Sequence, residues 1–188
     1  MKDKKSAIMA AIMLLGSFLI VGNAIGEDYN GHEGRSIFGR RLDVAPSTNE
    51  GYKKECGSCH FAYQPGLLPA KSWRKVMDTL DNHFGDNAEL APEDRKAITD
   101  YLVKGAAENS DYKASVKILH SIPANETPVA ISATPYFVRK HREVPDRMVK
   151  GNQQVKSFAH CARCHKDAGS GSYNEHEVNI PGFGRFED

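Results

Sequence analysis

Two short segments constrain this chain more than anything else in it. Cys56-Gly57-Ser58-Cys59-His60 and Cys161-Ala162-Arg163-Cys164-His165 are both C-x-x-C-H. The pattern is the signature of covalent c-type haem attachment. Its spacing has a chemical reason: two cysteines three apart at the end of a short helix can reach both vinyl groups of one porphyrin. The histidine that follows then sits under the ring and ligates the iron. The two motifs consume all four cysteines of the chain, leaving none for a disulfide. A four-cysteine zinc site, two small disulfide loops or a thioredoxin-like pair are the competing readings. None of them requires a histidine directly after the second cysteine, let alone twice. The sequence therefore predicts two covalently bound haem c groups, held by Cys56, Cys59, Cys161 and Cys164, with His60 and His165 as proximal iron ligands.

Residues 1–26 read as an export leader. Lys2, Lys4 and Lys5 precede an apolar run from Ala7 to Val21, and small residues follow, so that cleavage is expected after Ala24 or Gly26. The run is shorter than the roughly 20 apolar residues of a full membrane span. An uncleaved anchor is the alternative. Either way the folded part is expected in the periplasm, where bacterial c-type haem is attached. The leader holds three Lys and one Asp, so its removal takes the net charge from +1 to −1. With no basic excess, nucleic acid is not an expected partner. No second hydrophobic run follows, so the mature part is expected to touch a membrane only through partners, unless the leader stays.

The rest divides into an expected N-terminal haem lobe at 27–110, cytochrome c-like, and a C-terminal haem lobe at 111–188. The fold class expected is mainly α: two small lobes of short helices with long irregular loops. Glu27 to Ala45 reads as an arm packed on the first lobe. Ser47 and Glu50 form a capping-box pattern for a helix running into Cys56. Ser72 reads as the cap of a helix with Trp73, Val76, Met77 and Leu80 on one face, ending near Gly85. A third helix opens at Pro92-Glu93-Asp94 and ends at Gly105. Asn109 to Ala133, with Pro123 and Pro128, reads as a linker with at most a short strand pair. Thr134-Pro135 opens another helix that Val144-Pro145 stops. Gln153 to Ala159 is expected to be a helix leading into Cys161, and Gly169 to Asp188 an irregular cover over the second haem.

The sixth iron ligand decides what each haem can do: an open position permits ligand binding or catalysis, a closed one leaves electron transfer. For the first haem the candidates are His83, Met77 and His32. Met77 shares an apolar face with Trp73 and Leu80, which suits core packing. His83 stands at a helix end beside Phe84, where it can turn onto a ring. For the second haem the candidates are His141, Met148, His120 and His176. His160 precedes Cys161 on the proximal side and is excluded. His141 repeats the arrangement of His83, at the end of a helix bearing an aromatic residue, Phe137.

Beyond the motifs, the chain resembles the small di-haem cytochromes c. The resemblance rests on Glu55 to His60, Leu67-Leu68-Pro69-Ala70-Lys71-Ser72-Trp73, His83-Phe84-Gly85, Tyr101-Leu102-Val103, Thr134-Pro135-Tyr136-Phe137, His141, Lys156-Ser157 and Cys161 to His165. It implies bis-histidine haems, His60 with His83 and His165 with His141, and a periplasmic electron carrier that is not an enzyme. It further implies service with a small monohaem cytochrome c and a membrane cytochrome b. Bis-histidine ligation lacks the methionine that raises potential, so both couples are expected to be low. The alternative class is a peroxidase-like di-haem enzyme or ligand-binding cytochrome with one open haem, for which His32, His120 or His176 would supply the acid and base. Asp78 to Asp94 holds six acids and no base, while Arg139 to Lys156 holds six bases and two acids. Either these are ordinary solvated faces or they are one acidic and one basic docking patch.

Overall fold

The structure is a computed structural model and describes residues 42–186. The leader with its cleavage sites, His32 and most of the expected N-terminal arm lie outside the described residues. The fold is mainly helical, with six short α-helices and one two-stranded sheet among the described residues. No helix there is long and apolar enough to cross a membrane.

Helix α1 (Glu50–Cys56) carries the first two-cysteine motif at its end. Its cap is Asn49, whose side-chain oxygen accepts the Tyr52 N–H at 2.8 Å. The expected capping box from Ser47 does not form, because the Ser47 hydroxyl bonds the Tyr101 hydroxyl at 2.9 Å. That bond ties the entry of α1 to a later helix instead. Helix α2 (Ala70–Asp78) begins two residues before Ser72. Ser72 is buried within its first turn and caps nothing. The Ala70 N–H is satisfied from outside by the Glu108 carboxylate at 2.9 Å, which places an acid at a helix N-terminus. Helix α3 (Pro92–Lys104) starts with proline and two acids and closes on Gly105, as the sequence predicts.

The apolar faces of α2 and α3 meet over the first core, formed by Tyr52, Leu68, Trp73, Met77, Leu80, Ile98, Leu102 and Ala106. Trp73 is 5% exposed, and its indole N–H donates to the Pro65 carbonyl at 2.7 Å. That bond satisfies the one polar atom the residue brings inside.

The stretch read as a linker is not one. It folds into α4 (Lys113–Ser121), followed by a 3₁₀ turn at Ile131–Ala133, and contains no strand. Helix α4 has no side-chain cap, so nothing in its sequence announces its start. Its Ala114 N–H instead finds the Asp43 carbonyl at 3.0 Å, and Ile118 packs with Val44 and Leu67. Helix α5 (Pro135–Lys140) has the expected Thr134 cap. Helix α6 (Asp146–Val149) is a single turn. The helix expected over Gln153 to Ala159 is absent. Asn152 organises turns there, taking Gln154 N–H on its side chain at 3.0 Å, and Lys156 has a left-handed φ of 69°. The second motif opens in a 3₁₀ turn, Cys161–Arg163. The tail contains the sheet: β1 (Asn179–Ile180) antiparallel to β2 (Gly184–Arg185), with Asn179 opposite Arg185 and Ile180 opposite Gly184.

The last described residues of the arm join early and late parts of the chain. Asp43 and Val44 donate N–H to the Gly171 carbonyl at 2.9 and 3.2 Å, and Asp43 accepts the Tyr173 N–H at 2.7 Å. Gly171 has φ +92°, and a Cβ there would collide with the Val44 carbonyl. Only glycine allows this approach.

Candidate haem sites

The first site is built at the end of α1. Gly57 closes the helix by donating to the Lys53 carbonyl at 2.9 Å, which turns Cys59 and His60 away from the helix axis. His60 Nδ1–H donates to its neighbouring carbonyl at Phe61, 2.9 Å away. That bond leaves Nε2 as the nitrogen with a free lone pair. His83 follows the 3₁₀ turn Leu80–Asn82. A tight loop holds its backbone: His83 N–H to Asp86 O at 2.7 Å and Asp86 N–H to His83 O at 3.2 Å. Within that loop Phe84 and Gly85 take φ of 56° and 100°. The rings of His60 and His83 have centroids 6.3 Å apart and planes at 28°.

The second site is assembled from more distant pieces. His165 N–H returns to the Cys161 carbonyl at 2.8 Å, and Asn179 of β1 donates to Cys164 O at 3.1 Å. His141 ends α5, and both its backbone N–H (3.0 Å) and its Nδ1–H (2.9 Å) reach the Phe137 carbonyl. The Phe137 ring stacks on the imidazole at 3.8 Å and 13°. His141 and His165 have centroids 6.1 Å apart, with planes at 76°. Both line a cleft of about 1200 Å³, counting the open solvent at its mouth, whose wall also holds Cys161, Cys164, Phe158 and Tyr173.

These separations test whether a haem fits. Two imidazoles bound end-on to one iron, at about 2 Å per metal–nitrogen bond and roughly 1 Å more to each ring centre, place their centroids roughly 6 Å apart. Both pairs meet that distance. The cleft is mostly apolar, as a porphyrin face requires. Nδ1 of His165 is buried with no hydrogen-bond partner, a state that polypeptide rarely tolerates in its own interior.

Electrostatics agree. Burial, and then the neighbouring His141, push the His165 imidazolium down to about 4. Burial and then His60 lower His83 as well. Both are thus held neutral, the form that binds a metal. Burial pushes the Cys56 and Cys161 thiols up to about 11 and raises Cys164 too. Redox-active cysteines need the opposite shift. Among the described residues, no three His, Cys, Asp or Glu side chains converge into a metal-binding group.

The remaining candidates lie elsewhere. Met77 is 2% exposed inside the first core, and Met148 does not line the second cleft. His160 does line the second cleft, but its Nδ1–H donates to the Val155 carbonyl at 2.6 Å. His120 and His176 line an adjoining polar cleft with Lys113, Lys117, Arg139 and Lys140. Tyr63 and Gln64, which join the two sites, were not singled out by sequence reasoning. Their partners lie about a hundred positions away, beyond the reach of any local pattern.

A family model described as dihaem cytochrome c matches residues 52–173. Among solved structures, the diheme cytochrome c of Shewanella baltica OS155 is 43% identical, covering 74% of this chain and 98% of its own, with a TM-score of 0.61. The diheme cytochrome c of Rhodobacter sphaeroides is 39% identical, covering 69% of this chain and all of its own, with a TM-score of 0.61. A second structure from R. sphaeroides is 38% identical with a TM-score of 0.56. No curated protein matches.

Proposed function

The chain belongs to the dihaem cytochrome c family and carries two covalently bound haem c groups, and we propose that it is a periplasmic electron carrier in which histidine closes both irons at low potential. Each haem, when bound, supplies a one-electron couple. The polypeptide holds that couple in place, closes the iron against other ligands and sets its potential. The observation that carries the reading is the pair of cross-gap imidazoles, His60 with His83 at 6.3 Å and His141 with His165 at 6.1 Å.

Cys56 and Cys59 would anchor one haem, Cys161 and Cys164 the other. The Nδ1–H bonds of His60 to Phe61 and of His141 to Phe137 fix those rings and make their Nε2 atoms better donors. Stronger donors favour the ferric state and keep the couple low. Periplasmic residence is supported by the leader composition at 1–26, which agrees with the extracytoplasmic attachment of haem c. A potentiometric titration followed optically tests the reading. Two one-electron couples, both low and both low-spin throughout, are expected. A methionine-like high potential at either haem would contradict it.

The surface suggests where partners dock. Asp78, Asp81, Asp86, Glu89, Glu93 and Asp94 are all exposed around the His83 loop, with Asp78 paired to Arg95 at 2.8 Å. The cleft of Lys113, Lys117, Arg139 and Lys140, in which Lys140 pairs with Glu175 at 2.6 Å and Asp43 is the other acid, keeps a basic excess and shares Tyr136 and Tyr173 with the wall of the second haem cleft. A basic partner would meet the first site and an acidic one the second, giving electron flow a direction. A small monohaem cytochrome c and a membrane cytochrome b, the partners implied by the family resemblance, are the proposed pair. Association should weaken as salt screens these charges.

A further inference from the structure

Between the two histidine pairs lies one dipeptide, Tyr63-Gln64, three and four residues after His60. Its side chains grip the second motif from both ends. The Tyr63 hydroxyl donates to the Ala159 carbonyl at 2.5 Å, two residues before Cys161. The Gln64 amide donates to the Ala168 carbonyl at 2.5 Å, three residues after His165, with a longer contact to Gly169 O at 3.4 Å. Its oxygen accepts the Tyr173 hydroxyl at 2.8 Å.

Rings extend both contacts to the histidines. Tyr63 lies 4.7 Å from the His60 ring, and Tyr173 lies 5.5 Å from the His165 ring. Gln64 is completely buried. A buried amide costs free energy unless both its ends are paired. An apolar residue of similar volume would fill the space without that cost. Satisfied networks in a low-dielectric interior are stiff and specify one arrangement, so this seam fixes the distance between the two sites.

We propose that Tyr63 and Gln64 couple the two haem sites: Tyr63 provides the bonded path for the electron, and Gln64 holds the second motif at the distance that path needs. This rests on the electron-carrier reading. The path runs from the His60 ring across the contact with Tyr63, through its hydroxyl to Ala159 O, and along the backbone to Cys161. With both haems bound, this path would carry one electron from a ferrous iron held at His60, left ferric, to a ferric iron held at His165, made ferrous. No bond is made or broken. The phenol keeps its proton, which its hydroxyl holds toward the Ala159 carbonyl.

The test is internal electron transfer in the holoprotein after a reducing pulse, with freeze-quench paramagnetic resonance reporting which haem holds the electron. Tyr63→Phe keeps the ring and removes the hydroxyl. It is expected to slow internal transfer severalfold, with two haems bound and both low-spin spectra unchanged. Gln64→Met leaves Tyr63 in place and frees the far end of the motif. It is expected to slow transfer and also to shift the spectrum and potential of the second haem alone. A merely structural tyrosine would be rescued fully by phenylalanine. Wild-type rates in both variants, with an unshifted second haem in Gln64→Met, would overturn the proposal. Should Tyr63→Phe fail to load both haems, the Gln64→Met result decides by the same criteria. A wild-type protein with two low-spin haems and no internal transfer would overturn the relay itself; a relay indifferent to both variants would overturn only the bridge.

Discussion

Removing one hydroxyl should loosen one haem and leave the other alone. Thr134 is completely buried. Its hydroxyl accepts the Phe137 N–H at 3.3 Å and donates to Ile131 O at 2.8 Å. The helix it caps has six residues, so this bond is a large part of what starts it. Replacing a threonine N-cap by alanine costs about 1 kcal/mol. The Ile131 carbonyl keeps the Thr134 N–H at 3.1 Å, so no acceptor is orphaned and no further penalty arises there. The lost buried methyl adds about 0.8 kcal/mol. The sum, about 2 kcal/mol, corresponds to roughly 30-fold more opening of α5. Opening α5 releases His141, whose two N–H groups both rest on Phe137 O. In stopped flow, reduced Thr134→Ala protein mixed with carbon monoxide should therefore take it up at the second haem roughly 30-fold faster than wild type. Thr134→Ser, which keeps the cap and loses only the methyl, should be roughly 4-fold faster than wild type. Equal rates in Thr134→Ala and wild type, or acceleration at the first haem, would refute the reasoning.

Three further outcomes follow from the same geometry. Ferric paramagnetic resonance should show two distinct low-spin species. The imidazole planes at 28° remove the orbital degeneracy of the first iron and give a rhombic signal, while planes at 76° nearly restore it and give a strongly anisotropic one. Two identical signals would contradict the site geometry. Trp73→Phe leaves the Pro65 carbonyl unpaired in the core and should cost about 1–3 kcal/mol in denaturant titrations of the holoprotein, with both haem spectra kept. Gly171→Ala forces a side chain into left-handed backbone at about 1–2 kcal/mol and into the Val44 carbonyl besides, so its loss of stability should exceed that range.

What the sequence made legible was whatever local chemistry encodes. Pro92 with two acids and Gly105 bound α3, Thr134-Pro135 opens α5, and each is found where its caps say. The cysteine motifs and their histidines are legible for the same reason, since their spacing is their chemistry. The placement of His83 across from His60 and of His141 across from His165 was reachable because each stands at a helix end with an aromatic residue near it. Helix α4 was hidden: it has no cap of its own, its start is held by Asp43 from 71 positions away, and Pro123 and Pro128 follow closely. The helix expected before Cys161 failed for the converse reason. Its place ahead of Cys161 alone suggested it, while the Asn152 side chain and the left-handed Lys156 turn the chain instead. Ser47 and Ser72 carry good capping chemistry that tertiary contacts divert or bury. A chain that wraps a porphyrin takes much of its core from outside its own sequence, so apolar periodicity says little about its second half. Tyr63 and Gln64 are invisible locally because their partners, Ala159, Ala168 and Tyr173, come together only in the folded chain.

The central claim is that His83 and His141 close the two irons. Carbon monoxide added to the reduced, haem-loaded protein tests it most directly when wild type, His83→Ala and His141→Ala are compared within one mixing time. Wild type should keep its six-coordinate low-spin spectrum over that interval. Each variant should take up one carbon monoxide per chain at once, at its own haem only, with the other spectrum unchanged. Immediate binding by wild type, or a haem opened by His120→Ala or His176→Ala and not by His141→Ala, would contradict it.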